Sequence, residues 1–275
     1  MVSTNVKTPR VGLVITAAGS GTRLGYGIPK AMVPLMDAPP IGDDTSASLD
    51  HSLFAVALRN AAGITGIEQV VITAPLEYIE EFEAAVRAMD LDLPVRVVEG
   101  SVTRQSSVFA GLKALESAGF GNEDSCVVLV HDAARALARP EMMDRVVAAV
   151  TQGSAAVIPT LMVADTLKLV DPAVDPDPIS GTQRIVGSAD RTAMRTVQTP
   201  QGFEWSVLIG AHRRFEKQGL DESTSATDDS SLTQWAGFDV DCVTGDELAL
   251  KVTTPMDLAL ARILYAQSLE QEVTS

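Results

Sequence analysis

The sequence predicts an α/β protein, a mostly parallel sheet covered by helices. Short runs of Val, Leu and Ile alternate with helical patterns along the chain, the order expected of βαβ units. Apolar residues make up 46% of the 275, yet aromatic residues only 4%. A core of aliphatic side chains suits strands buried on both faces better than an aromatic-rich sandwich.

Taken in order, residues 11–16 ("VGLVIT") read as a buried strand and 50–62 as a helix. A second strand follows at 70–73. A helix over 76–89 carries acidic residues early, where the helix dipole favours them. Residues 95–98 form the next strand. The helix over 107–118 places Val108, Leu112 and Leu115 on one face. Residues 127–130 ("VVLV") and 155–159 read as strands, and between them a helix over 140–150 opens on a proline, tolerated in a first turn. Two stretches break this rhythm. Residues 36–50 are rich in Pro, Asp and Ser and read as an exposed insertion. Residues 169–191 carry three Asp-Pro pairs between β-prone flanks. They read as a two-stranded arm with a long tip that packs against something else, often a second subunit. The polar tail after Gln267 is expected to fray.

The formal net charge of −15 argues against a nucleic-acid binder, which carries a basic footprint. It does not exclude a phosphorylated ligand, because screening limits a charge's reach to roughly 8 Å at physiological salt. Local cations decide. Cys126 and Cys242 both lie in apolar runs without zinc-site spacing, and read as buried thiols of a reducing compartment. No apolar run of signal or membrane-span length is present, so a cytoplasmic location is expected.

Four constellations carry chemistry. The first strand runs into "AAGSGTRLGYGIPK", where backbone N–H groups of Ala17, Ala18, Gly19, Ser20 and Gly21 can approach phosphate closely. Glycine needed only for backbone angles explains the loop equally well until Arg23 and Lys30 are added. The loop is neither a Walker motif nor the dinucleotide fingerprint, since Leu24 stands at the third glycine position. In "VVLVHDAARAL" the strand delivers Asp132 to its carboxyl end, where it serves a metal, a substrate hydroxyl or a helix cap. His131 reads as a packed neighbour, and Arg135 as a partner of Asp132 or of a phosphate. "VEGSVTRQSSVFAGL" offers a glycine turn at Gly100-Ser101 and a serine pair, Ser106-Ser107, for a base edge or for helix capping. The C-terminal half contributes Arg191, Thr199, Thr227 with Asp228, and Lys251.

Together, in this order, "AAGSGTRLG…PK", "RQSSVFAGLKAL", "VLVHDAAR", "ADTLK", "ADR", "TPQGF", "TDDSSL" and "LKVTTPMDLALA" resemble the 2-C-methyl-D-erythritol 4-phosphate cytidylyltransferase family from about residue 11 to 264. The resemblance implies a single Rossmann-like domain with a β-arm, about 163–196, that clasps a homodimer. It implies transfer of CMP from CTP to methylerythritol phosphate with Mg²⁺, in the non-mevalonate route to isoprenoids. By motif, the Ala17–Gly21 backbone cradles the triphosphate, and Arg23, Lys30 and Lys251 are catalytic. Gly100, Ser101 and Ser107 face the cytosine. Asp132, Arg135, Thr199 and Thr227 join Lys251 around the acceptor, with Asp132 a candidate ligand for an Mg²⁺ held mainly by CTP. Arg191 and Thr166, on the arm, reach the other subunit's substrate.

A phosphomonoester is already an anion, so its attack on the α-phosphate needs no general base. No Ser–His–Asp or Cys–His set is evident in these motifs. Ala136, Ser101, Ser106 and Ala249 depart from the family pattern. The alternatives are a ribitol 5-phosphate cytidylyltransferase, distinguished by the acceptor pocket, and a non-catalytic CTP-binding module.

Overall fold

In the computed structural model, residues 8–19, 21–36, 49–122, 125–171 and 181–274 are described. The polar insertion and the arm tip fall largely on 37–48 and 172–180, outside them.

The apolar runs form the strands. β1 (Arg10–Thr16), β2 (Ile67–Ala74), β3 (Val95–Glu99), β4 (Cys126–Asp132) and β5 (Ala156–Met162) follow the sequence reading, each within a few residues. α1 (Leu53–Ala62), α2 (Ile79–Ala88), α3 (Arg104–Ser117) and α4 (Pro140–Thr151) intervene. The arm is the antiparallel pair β6 (Lys168–Val170) and β7 (Ile185–Ser188). β8 (Arg195–Val197), β9 (Gln201–Glu204), α5 (Trp205–Arg214), α6 (Asp229–Ala236), β10 (Asp241–Thr244) and α7 (Pro255–Thr274) complete the chain. α7 runs past Gln267 to Thr274.

The main sheet runs β10-β5-β9-β4-β1-β2-β3, with β8 against β5. β1 pairs in parallel with both β2 and β4, whereas β9 is antiparallel to β4 and β5. Alternation along β1 and β4 divides the core. Leu13, Ile15, Val127 and Leu129 join Phe54, Phe82 and Met142 on one face. Val14, Val128 and Val130 meet Val108, Leu112, Phe120 and Phe203 on the other. Both central strands are therefore apolar throughout rather than alternating with polar residues. β1 is followed in sequence by β2 on one side, while β4 lies on its other side. Their carboxyl ends open at this switch of direction, where α/β sheets bind ligands.

Helix α3 starts three residues before the expected Ser107. Thr103 caps it, accepting from Ser106 N at 3.0 Å, while Ser106 Oγ accepts from Thr103 N at 3.1 Å. This reciprocal cap satisfies two backbone donors at once. Cys126 is buried as expected, but Cys242 is exposed. The apolar run around Cys242 forms β10, an edge strand of the sheet.

Candidate active site

A cleft of about 460 Å³ opens at the ends of β1 and β4. Ala17, Ala18, Gly19, Lys30, Ser101, Ser107, Asp132 and Lys251 line it, all of them singled out from the sequence. Thr16, Thr103, Arg104 and Glu222 also line it and were not.

The first wall is the glycine loop, which folds back on itself. Lys30 N donates to Gly19 O at 3.2 Å, after Pro29 holds φ at −51° ahead of a short 3-10 turn. Gly21 adopts φ +64°, and a Cβ there would stand 2.7 Å from Lys30 Cβ. Left-handed backbone costs a non-glycine residue about 1–2 kcal/mol. Gly21→Ala is therefore expected to displace Lys30 and lower kcat about tenfold or more, checked by steady-state kinetics; an unchanged kcat would contradict this. Ser20 lies outside the described residues. Arg23 is exposed, close enough for its charge to act on Lys30.

Across the cleft, Gly100 passes the first loop so closely that a Cβ would sit 2.6 Å from Ala18 Cβ. Ser107 Oγ accepts from Ser101 N at 2.8 Å and donates to Thr103 O at 2.8 Å. The serine thus shapes the Gly100-Ser101 turn from inside helix α3.

The floor is Asp132. The β1–β4 register sets Thr16 beside it, and Thr16 Oγ1 donates to Asp132 Oδ1 at 3.2 Å. Lys251 Nζ lies 2.7 Å from Oδ2 and Arg104 Nε 3.5 Å from Oδ1. Burial works against the ionised carboxyl, but Arg104 and Lys251 overcome it and hold its pKa well below the usual carboxylate range. Burial and the neighbouring Lys251 lower the pKa of Lys30. A chain of net charge −15 has gathered cations around one carboxylate.

Other sequence candidates support this floor from behind. Thr199 Oγ1 accepts from Asp132 N at 3.0 Å and lies 3.0 Å from His131 Nδ1. Arg135 donates to Ala249 O at 2.8 Å and Val197 O at 2.9 Å, which ties the β4 loop to the segment bearing Lys251, and its charge acts on Asp132. Ala136 is buried, its carbonyl accepting from Asn60 Nδ2 at 2.8 Å. Thr227 is exposed just before the α6 cap, Asp228. Thr166 and Arg191 are exposed on the arm, where Arg191 Nη1 donates to Ala164 O at 2.6 Å.

His131 is fully buried, and that burial pushes its pKa from 6.5 down to about 4. Between those values the unfolded chain takes up a proton that the folded chain refuses, so stability falls as the pH drops through that window. The urea midpoint is expected to decline between about pH 6.5 and pH 4, less steeply in His131→Gln; equal slopes would contradict it.

A family model of 2-C-methyl-D-erythritol 4-phosphate cytidylyltransferase matches residues 11–267. The enzyme of that name from Corynebacterium diphtheriae is 39% identical over 263 residues, covering 94% of this chain and 95% of its own. Among solved structures, the one from Thermus thermophilus is 30% identical with a TM-score of 0.60, covering 93% of this chain and 98% of that one. A 4-diphosphocytidyl-2C-methyl-D-erythritol synthase from Anaerococcus prevotii shares the fold, with a TM-score of 0.70 at 24% identity, covering 94% and 99% of the two chains. Motifs, cleft and whole-chain similarity agree, and the chain belongs to the 2-C-methyl-D-erythritol 4-phosphate cytidylyltransferase family.

Proposed function

We infer that this chain transfers CMP from CTP to 2-C-methyl-D-erythritol 4-phosphate, releasing pyrophosphate. The observation that carries the reading is the pairing of Lys251 and Arg104 with Asp132, with Lys30 in the same cleft beside the Gly19 loop. In the step itself, an anionic oxygen of the acceptor phosphate forms a bond to the α-phosphorus. The bond from that phosphorus to the bridging oxygen breaks, and its electron pair leaves with pyrophosphate. No proton need move, which agrees with a site built of cations. Two polyanions must be brought together in line, so positioning and charge stabilisation supply most of the catalysis.

The loop backbone and Lys30 are assigned to the triphosphate, with Arg23 beside them. The Gly100-Ser101 turn and Ser107 are assigned to the cytosine. Lys251, oriented by Asp132, is assigned to the acceptor phosphate, with Thr227 at the rim; Thr199 and Arg135 hold the backbone that carries this pair.

Mg²⁺ is proposed as the cofactor. Among the described residues no three His, Cys, Asp or Glu side chains cluster as a metal site, and Asp132 already pairs with cations. These residues fit an ion that the triphosphate itself would mainly hold, with Asp132, already paired with cations, a secondary candidate ligand. Such an ion would draw off negative charge from the phosphates as the transfer proceeds. Product analysis tests the function: 4-diphosphocytidyl-2-C-methyl-D-erythritol is expected, lost with a chelator and restored by Mg²⁺. Free CMP as the product would contradict it.

The arm supports a homodimer. Leu169, Val170, Ile185 and Val186 are all exposed on its two strands, an apolar surface that calls for a partner. Arg191 and Thr166 are assigned to the acceptor bound by the other subunit. Light scattering at micromolar concentration is expected to give a dimer, and Ile185→Asp to weaken it and lower turnover. A wild-type monomer would remove the role across subunits.

A further inference from the structure

A chain of side chains leads out of the cleft through Arg104. Arg104 Nη1 lies 2.7 Å from Asp229 Oδ2, while Nε faces Asp132. The other oxygen of Asp229, Oδ1, is 2.9 Å from His212 Nε2. Asp229 and His212 are each 1% exposed. Burial opposes ionisation of Asp229, yet Arg104 and His212 hold its pKa below the ordinary value. An ionised carboxylate only accepts hydrogen bonds, so Nε2 of His212 carries the proton. The imidazole stacks on Phe109, centroids 5.6 Å apart and planes 15° from parallel. Its Nδ1 has no hydrogen-bond partner among the described residues.

The arrangement has a geometric consequence. A free carboxylate beside a guanidinium is commonly gripped by two parallel N–H bonds. Here His212 bonds one oxygen of Asp229, Arg104 bonds the other through Nη1 alone, and Nε stays turned to Asp132. We propose that His212 is a positioning residue for the transfer reaction: its Nε2–H blocks bidentate capture of Arg104 by Asp229 and thereby keeps that guanidinium in the cleft. This rests on the function proposed above. His212 lies on α5, Arg104 on α3 and Asp229 on α6, so the contact also fixes three elements around the acceptor side of the site.

Two amide substitutions separate positioning from packing. Gln at 212 carries its amide near the place of Nε2, and Asn near that of Nδ1. His212→Asn is expected to raise the KM for methylerythritol 4-phosphate about tenfold at unchanged KM for CTP, with His212→Gln recovering most of the loss. In an Arg104→Lys background, His212→Asn is expected to add less than about twofold, because both changes act on one interaction. A purely packing role predicts equal Asn and Gln variants and additive effects, and either result would overturn the proposal. Crystal structures of both variants read the geometry without turnover, so a failure of the assigned reaction stays distinguishable. Arg104 is expected on both Asp229 oxygens in His212→Asn and still against Asp132 in His212→Gln. Arg104 unmoved in His212→Asn would overturn the inference.

Discussion

Lys30→Ala is expected to lower kcat by about 10²–10³, or about 2.7–4 kcal/mol, while CTP affinity changes only a few-fold. The backbone N–H groups of the loop already match much of the ground-state charge on the triphosphate. During transfer, negative charge grows on the oxygens of the α-phosphate and on departing pyrophosphate. Lys30 is pinned to that place by its own backbone bond to Gly19 and by Gly21 packed against it. It is also partly withdrawn from water, where a fixed charge acts more strongly. Steady-state kinetics with equilibrium CTP binding checks this. Equal losses in kcat and in affinity would assign Lys30 to ground-state binding instead.

Asp132→Asn is expected to have the next largest effect, lowering kcat/KM for the acceptor about 10²-fold. The carboxylate sets the position of Lys251 at 2.7 Å, and its charge sustains protonation of Lys30 against the repulsion of Lys251. Without it, the cations repel one another and Lys251 swings toward solvent. Breaking a buried pair costs about 3–5 kcal/mol; the loss of stability here is expected to be smaller, since Lys251 is 41% exposed. The depressed carboxyl pKa also fixes a pH dependence. The ion pairs are complete above the unfolded value of 3.8 and weaken only as the pH falls further through the lower folded value. Activity is therefore expected to show no ionisation of Asp132 at any pH above about 5. Acceptor kinetics in Asp132→Asn equal to wild type, or a carboxyl titration near neutrality that the variant abolishes, would contradict this role.

How far these residues were legible depended on how local their signals are. The five apolar runs became β1 to β5 because burial on both faces leaves little room for polar residues. The cleft residues at the ends of β1 and β4 followed from that topology. β9 escaped because "QGFE" is short, with no β-branched residue, and becomes a strand only through β4 and β5 on either side of it. Arg104 opens the run "RQSSVFAGLKAL", yet nothing near it in sequence marks it as a site residue. Its partner Asp229 lies 125 positions away, and only the tertiary fold brings the first turns of α3 and α6 together. Glu222 sits in a polar loop without periodicity, and its place on the cleft comes from tertiary structure alone. Arg135, near the end of β4, bonds carbonyls of distant segments that no local pattern reveals.

Acceptor-dependent pyrophosphate release tests the central claim most directly. CTP and Mg²⁺ are supplied with methylerythritol 4-phosphate, with ribitol 5-phosphate or with no acceptor. Release with methylerythritol 4-phosphate alone is the expected result. Release with ribitol 5-phosphate alone would keep the chemistry and contradict the assigned acceptor, and CTP binding without release under any condition would contradict catalysis itself.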